Sequence, residues 1–176
     1  MPSIPDLLTE YERAIGYTDL LWNDLTVDEV HWRADRASSA IGWHLGHQPA
    51  VAHFMVRNLT AAEPSPDPAL DALMDSATPP VDRGELPDLE RLRAYRDGVA
   101  ERVRVRIGDI SEGNVGAPEQ LAVIASTLMV AVINHEYQHS KWIAEVRHDV
   151  HHRALPTLPS SDLLSVIEGY NVVTAT

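Results

Sequence analysis

Residues 120–146 read QLAVIASTLMVAVINHEYQHSKWIAEV and form the most apolar long segment of the chain. They follow Ala117, Pro118 and Glu119, and a proline suits the first turn of a helix. Apolar residues then recur around most of the helix circumference, which is typical of a helix that is buried on several sides. We therefore predict a long helix over about residues 120–146, at the centre of a bundle.

Three further amphipathic helices are predicted from apolar residues that recur every three or four positions. The first spans about residues 5–24, and the TVDE sequence at residues 26–29 predicts a capping box that begins a short helical turn. The second spans about residues 39–59, with Ser38 or Ser39 as its N-cap, and the third spans about residues 88–107. Four helices in this order predict an all-α fold, a four-helix bundle.

Proline interrupts this plan in two places. Pro49 lies inside the second helix, where it removes a backbone donor, so we expect a bend just after His47. The connection between the second and third helices, residues 61–87, contains six prolines, and only residues 69–74 are expected to form one or two helical turns. Long connections of this kind in a compact domain often have a function.

Composition limits the classes of function. The 176 residues, of which 44% are hydrophobic, fit one domain over residues 1–176. A net charge of −12 argues against nucleic acid and anionic membranes as partners, because the chain as a whole repels them. The chain has no cysteine, so a metal ion would take nitrogen and oxygen ligands. We find no leader-like N-terminal segment and no apolar window long enough to span a membrane, so we expect a cytoplasmic protein.

The tail, residues 147–176, is predicted to be partly irregular. It contains three histidines that fall among charged residues past the end of the fourth helix, and we interpret them as a solvated run instead of a metal site. Ser160 or Ser161 can serve as an N-cap, so we expect a short helix over residues 162–168. The three histidines are His148, His151 and His152.

Two pairs of histidines are spaced for metal binding. His135 and His139 are four residues apart in the predicted fourth helix, so both imidazoles lie on one face and can reach one metal ion. His44 and His47, in the second helix, are three residues apart, and either could supply a third ligand. From the residues alone, a core histidine bonded to a backbone carbonyl is an equal alternative there. Gly46 is a poor residue for a helix interior, which indicates a constraint of packing or access.

The sequences WHLGH at residues 43–47 and HEYQH at residues 135–139 resemble the paired motifs of the DinB-like superfamily of four-helix metalloproteins, in particular its second subfamily. Helix order and spacing are similar over nearly the whole chain. The resemblance implies that three histidines, His47, His135 and His139, bind a divalent metal ion. The nitrogen ligands do not name the metal, and zinc, nickel and iron are all candidates because imidazole suits each of them.

The same resemblance assigns two neighbouring residues. It implies that His44 is not a metal ligand. Gln138 lies beside the site, where it can contact the substrate or a metal ligand. Glu136 lies about 100° around the helix from His135, so we predict a helix-surface or interhelix charge in preference to a base that acts in the reaction.

The resemblance also suggests an activity. The motifs are similar to those of the metal-binding domain of the iron-dependent sulfoxide synthases of ergothioneine biosynthesis. Those enzymes use a second domain with a catalytic tyrosine, for which residues 147–176 offer no counterpart, so we do not expect this activity. Other members are stand-alone, metal-dependent thiol transferases and a maleylpyruvate isomerase, which use mycothiol or bacillithiol. The resemblance thus implies an S-transferase or isomerase with a low-molecular-weight thiol as cosubstrate.

Two other functions stay open. One is a non-heme iron enzyme that binds oxygen beside the three histidines. The other is a non-catalytic bundle that binds a metal or a small ligand as a stress or accessory protein. In each case the partner is a small molecule, and apolar helix surfaces also allow a homodimer.

Aromatic and basic residues supply further candidates. Five aromatic side chains could line a pocket beside the metal, although core packing is the default role for most of them. Three arginines could bind a substrate carboxylate, although a solvated position is the default for each. The aromatic residues are Trp22, Trp43, Tyr95, Tyr137 and Trp142, and the arginines are Arg57, Arg91 and Arg93.

Overall fold

The computed structural model describes residues 2–59 and 63–174; residues 60–62, where the predicted connection begins, lie outside this range. Four long helices and one short helix carry most of the described residues, so the all-α prediction is confirmed. The strands in this part of the chain form one small antiparallel hairpin. The helices are α1 (Ile4–Trp22), α2 (Ile41–Val56), α3 (Pro68–Leu73), α4 (Leu89–Ser111) and α5 (Pro118–Glu145).

The helix α5 is the centre of the bundle, as its apolar circumference predicts. It packs against α1, α2 and α4, and α2 packs against α4. The core between the helices is filled by fully buried aliphatic side chains such as Leu7, Leu45, Val99 and Ile133. Among the described helices, none is both long and apolar enough to cross a membrane.

Helix ends follow local hydrogen bonds. The predicted capping box is confirmed, because the Thr26 N–H donates to the Glu29 carboxylate at 2.8 Å and the Glu29 N–H donates to the Thr26 hydroxyl at 3.4 Å. It begins a turn of 3₁₀-helix at Glu29–His31. The predicted N-cap of α2 is wrong: α2 begins at Ile41 without a side-chain cap, and the Ser39 hydroxyl instead accepts from Arg83.

The proline-rich connection contains one short helix, as predicted. Asp67 caps α3 by accepting from the Leu70 N–H at 3.0 Å, and α3 extends over Pro68–Leu73. A single 3₁₀ turn, Pro80–Asp82, follows before α4 begins. The connection therefore lies against the bundle, with α3 in contact with α2.

The predicted helix over residues 162–168 is wrong. The segment forms strand β1 (Leu164–Ile167), which pairs with β2 (Tyr170–Val173). Glu168 and Gly169 both have positive φ, which is typical of the two-residue turn of a β-hairpin. Val and Ile in the strands prefer extended backbone, and together with the glycine turn they outweigh the N-cap signal of a serine.

One side chain of α5 forms two hydrogen bonds with the hairpin. The Asn134 side chain accepts from the Val173 N–H at 2.7 Å and donates to the Val173 carbonyl at 3.1 Å. The Asn134 amide thus pairs with the Val173 backbone as a neighbouring strand would. Because Asn134 directly precedes His135, β2 lies next to this part of α5.

The helix α2 continues through Pro49 from Ile41 to Val56. Proline has no N–H, so the carbonyl of Leu45, four residues earlier, loses its helical donor. The buried Arg96 guanidinium, on α4, donates to this carbonyl at 3.2 Å. A side chain from the neighbouring helix therefore satisfies the group that Pro49 leaves unpaired.

The same guanidinium is the centre of a buried polar network. Arg96 donates to the Gln48 side chain at 3.2 Å and to the Glu136 carboxylate at 3.1 Å, and Thr18 donates to Glu136 at 2.7 Å. Burial opposes the charge of Arg96, but the carboxylates of Glu136 and Asp19 outweigh it and raise the Arg96 pKa. Glu136 is therefore an interhelix charge, and the alternative of a helix-surface position is wrong.

Replacement of Arg96 tests this network. Arg96→Met leaves the buried carboxylate of Glu136 without its partner, which costs about 3–5 kcal/mol of the free energy of unfolding. Arg104→Met is the matched control, because Arg104 and Glu12 form an exposed ion pair worth less than about 1 kcal/mol. Urea unfolding measures both. Equal small losses in the two variants would show that the buried network contributes little.

Candidate metal centre

Three histidines from two helices come together at one point. His47 lies on α2, His135 and His139 lie on α5, and one ring nitrogen of each is within 4.8 Å of the others. His47 and His139 are buried and His135 is half-buried. Within residues 2–59 and 63–174, this is the one group of three or more histidine and acidic side chains close enough to hold a metal ion.

Hydrogen bonds orient two of the three rings. The Nδ1–H of His47 donates to the Met74 carbonyl at 2.7 Å, because a carbonyl can only accept. The Nδ1 atoms of His139 and His44 lie 2.8 Å apart. The tautomer in which His139 donates and His44 accepts leaves Nε2 of His139 free, as the first bond leaves Nε2 of His47 free. Metal-binding histidines commonly have such a partner on the other nitrogen, so the residues fit a bound ion.

The carbonyl that orients His47 comes from the proline-rich connection. Met74 follows the last residue of α3, and its side chain is almost fully buried. A Cβ atom at Gly46 would lie 2.5 Å from the Met74 Cε atom and 2.6 Å from its sulfur. The absence of a side chain at Gly46 therefore lets the connection approach α2, which is the packing constraint that the sequence indicated.

An aromatic stack covers the other side of His47. The Trp43 ring is parallel to the His47 ring, with the two centroids 4.3 Å apart. The Arg83 guanidinium lies 3.6 Å from the Trp43 centroid. Trp142 meets the His139 ring edge-on at 4.7 Å. The ligand side chains are thus held by packing as well as by hydrogen bonds.

Burial keeps the imidazoles neutral. Burial, with smaller contributions from neighbouring charges, lowers the pKa of His44 to about 3 and that of His135 to about 4. The pKa values of His47 and His139 are also lowered, again chiefly by burial. Neutral imidazole is the form that binds metal ions, so the site is prepared for a cation at neutral pH.

Comparison with known families agrees with this geometry. A model of the DinB superfamily matches residues 10–143, which is more than half of the chain and includes all three histidines. The chain belongs to the DinB superfamily. A comparison with curated proteins finds no match. The superfamily part of the resemblance inferred from the WHLGH and HEYQH motifs is confirmed.

This DinB-superfamily protein has two cavities of about 520 Å³ each near the candidate site. One is lined by His44 and the other by His47. The His44 cavity is lined by that histidine and Trp142, by four residues of the segment 34–39, and by residues at the end of α5 and just after it. The His47 cavity lies between α2 and the α3 region. The lining residues of the His44 cavity are Ala34, Ala37, Ser38, Ser39, His44, Trp142, Glu145, Val146, Asp149 and Val150. Those of the His47 cavity are His47, Ala50, Val51, His53, Phe54, Arg57, Asp71, Ala72, Met74, Asp75 and Ser76.

The other predicted polar residues are not among the three rings that come together. Gln138 is exposed and makes no side-chain hydrogen bond within the described residues, so its contact with substrate or ligand stays a prediction. His148 and His152 are exposed, as predicted for a solvated run. His151 differs, since it is half-buried and stacks on Trp32 at 3.7 Å.

Two of the five aromatic candidates, Trp43 and Trp142, contact the histidines, whereas Trp22, Tyr95 and Tyr137 are buried in the core.

Of the three arginine candidates, one lines a cavity. Arg57 lines the His47 cavity. Arg91 pairs with Asp67, and Arg93 is exposed and donates to Asn23.

Sequence reasoning missed the roles of Met74, Arg83 and Arg96. For Arg96 a signal existed, because a proline inside a helix leaves one carbonyl that needs an outside donor.

The lowered pKa values predict how stability depends on pH. Below about pH 6.5 the unfolded chain protonates histidines that the folded chain keeps neutral. The metal-free protein should therefore have its full histidine contribution above about pH 6.5 and lose it as pH falls toward the folded values, about 4 for His135 and about 3 for His44. Urea unfolding across this range should give a shallower loss for His135→Gln than for the unchanged protein. An identical pH profile would contradict the depressed pKa of His135.

Proposed function

We propose that this protein is a metal-dependent enzyme that uses a low-molecular-weight thiol, as an S-transferase or an isomerase. The observation that carries the proposal is the group of three neutral imidazoles from α2 and α5, each with a nitrogen within 4.8 Å of the others. Three protein ligands are the pattern of catalytic metal sites, which keep a position for water or substrate.

The chain's own residues prepare the site. The Met74 carbonyl and His44 fix the rings of His47 and His139 by hydrogen bonds. Trp43 and Trp142 surround the histidines with apolar surface, which excludes water from the sides of the rings. The adjoining cavities have the size of small-molecule sites.

A bound divalent ion would supply positive charge that lowers the pKa of a coordinated thiol and so favours the reactive thiolate. Zinc, nickel and iron are all candidates, because imidazole suits each of them.

The thiol part of the proposal rests on two supports. The chain has no cysteine, so a thiol in the reaction comes from a cosubstrate. The resemblance to stand-alone thiol-dependent transferases and isomerases points to mycothiol or bacillithiol as the class of cosubstrate. Sulfoxide synthase activity is not part of the proposal.

Metal uptake tests the three-histidine site. After dialysis against zinc, nickel or ferrous ion, the protein should hold an equimolar amount of metal by elemental analysis. His135→Ala removes one nitrogen and should weaken binding by at least about tenfold. His148→Ala, which removes an exposed tail histidine, should leave the metal content unchanged. Undiminished occupancy in His135→Ala would eliminate the assignment.

Thiol and oxygen consumption test the reaction class. As a transferase, the metal-loaded protein should consume mycothiol or bacillithiol with 1-chloro-2,4-dinitrobenzene and release chloride. As an isomerase, it should convert maleylpyruvate to its trans isomer only when the thiol is present, and the thiol should be regenerated. Removal of the metal should stop either reaction. Oxygen uptake by the iron-loaded protein would favour the non-heme iron alternative. Absence of both thiol consumption and thiol-dependent isomerisation at saturating metal, over a broad set of electrophiles, would favour a non-catalytic binding protein.

A further inference from the structure

The His44 cavity contains a buried imidazole with one nitrogen unpartnered. His44 is only 6% exposed and lines this cavity of about 520 Å³. Its Nδ1 atom lies 2.8 Å from Nδ1 of His139, whereas its Nε2 atom has no hydrogen-bond partner within residues 2–59 and 63–174. A buried polar group without a partner is costly, so a ligand in the cavity that pairs with Nε2 would be favoured.

The state of the His44 ring decides what this ligand must offer. Burial, as the main cause, lowers the pKa of His44 to about 3, so the ring is neutral and has one donor and one acceptor. In the tautomer that leaves Nε2 of His139 for a metal ion, His44 accepts at Nδ1 and therefore has its proton on Nε2. An acceptor in the cavity would favour the same tautomer in the metal-free protein. The ligand group that meets His44 is thus a hydrogen-bond acceptor.

A second donor lies on the same side of the cavity. Ser39, two residues before the start of α2, also lines it. The Ser39 hydroxyl accepts from Arg83 at 2.7 Å and donates to no side chain in the described part of the chain, so its hydrogen is free. Two donors near the start of α2 favour an oxygen acceptor, such as a carbonyl group, on the ligand.

The side of the cavity formed by the end of α5 is acidic. Glu145 and Asp149 line it and are four residues apart, which brings them to one side of the helix. Lys141 donates to one oxygen of Glu145, and Nδ1 of His148 lies 2.7 Å from one oxygen of Asp149, so each carboxylate keeps its second oxygen. Among the described residues that line the cavity, none is a lysine or an arginine. This side therefore attracts a cation and repels an anion.

Apolar side chains lie between the donors and the carboxylates. They can cover the hydrocarbon part of a ligand, and the volume is typical of a small-molecule site. The apolar lining residues are Ala34, Ala37, Trp142, Val146 and Val150.

We propose that the His44 cavity binds a small organic cation that also carries an uncharged carbonyl group, such as an acylated amine. The carbonyl oxygen accepts from His44 and Ser39, and the ammonium group lies at Glu145 and Asp149. This site goes beyond the proposed function, because its contacts need neither a metal ion nor a thiol. Since His44 also bonds to His139, the ligand site and the candidate metal centre share one side chain.

NMR titration of the metal-free protein at low ionic strength tests the charge of the ligand. Three compounds have the same acetamide end and differ at the other: N-acetylputrescine carries an ammonium group, N-(4-hydroxybutyl)acetamide a hydroxyl group and 4-acetamidobutanoate a carboxylate. The ammonium compound should bind at least about threefold more tightly than the hydroxyl compound, as expected for partly exposed carboxylates. The carboxylate compound should bind most weakly.

Substitutions near α2 test the carbonyl contacts. His44→Phe keeps a ring but removes the N–H, so it should weaken binding of N-acetylputrescine by about fivefold. It should not weaken binding of heptylamine, which has the ammonium group but no carbonyl. Ser39→Ala should act in the same direction as His44→Phe. His53→Phe is the control, because His53 is a buried histidine of α2 that does not line this cavity.

A substitution at the acidic side tests the ammonium contact. Asp149→Asn should reduce the preference for the ammonium compound over the hydroxyl compound, and Asp149 is exposed, so the variant should fold. Asp97→Asn is the control, because Asp97 is exposed on α4 and does not line the cavity. Thermal unfolding of each variant checks that it is folded.

The outcomes separate this inference from the proposed function. Equal binding of the three acetamides to the unchanged protein, tightest binding of the carboxylate compound, or no saturable binding at millimolar concentration would overturn the inference, even if metal and thiol activity are present. Binding in the expected order that is weakened by His44→Phe or Ser39→Ala would support it. Failure of the same protein to take up metal would then count against the proposed function alone.

Discussion

Arg96 projects from α4 and is buried against α2 and α5. Its guanidinium forms hydrogen bonds to both of these helices and so fixes their relative position. It donates to Gln48 on α2 and to Glu136 on α5. These two residues are the immediate neighbours of His47 and His135, so the hydrogen bonds of one side chain fix both halves of the candidate metal site. The Gln48 amide adds a direct link, because it donates to the Glu136 carbonyl at 3.0 Å. Removal of the cation would leave a buried carboxylate next to the ligands, which is far more costly than the loss of an exposed pair.

Much of the helical architecture can be predicted from the sequence because its signals are local. Apolar spacing in residues 120–146 and the capping box at residues 26–29 depend on neighbours within one or two turns, and both correspond to the structure. The hairpin at residues 164–173 is not predicted from the sequence. The serine N-cap signal at residues 160–161 favours a helix for the residues that follow it, whereas the turn at residues 168–169 favours strands on either side. There the positive φ values at Glu168 and Gly169 decide the backbone, and β2 is then held by contacts with α5 that no local pattern shows.

The candidate metal site also has parts that local sequence predicts and parts that depend on tertiary contacts. The pairing of His135 with His139 follows from helix geometry, whereas the addition of His47 needed the resemblance to a family, since spacing alone left His44 equally eligible. The groups that orient the rings were not predictable, because they arrive through tertiary contacts. The Met74 carbonyl comes from the proline-rich connection, 27 residues after His47. That connection therefore orients His47. Gly46 is the sequence feature that indicates the contact, because a side chain at this position would collide with Met74.

We propose that His47, His135 and His139 bind one divalent ion through their ring nitrogens. Anomalous diffraction from crystals of the zinc-loaded protein tests it most directly. We expect one strong anomalous peak at bonding distance, about 2.0–2.1 Å, from a nitrogen of each of the three rings. Nδ1 of His47 should still donate to Met74, and His44 should stay bonded to His139. A peak at the tail histidines, or none between α2 and α5, would contradict it.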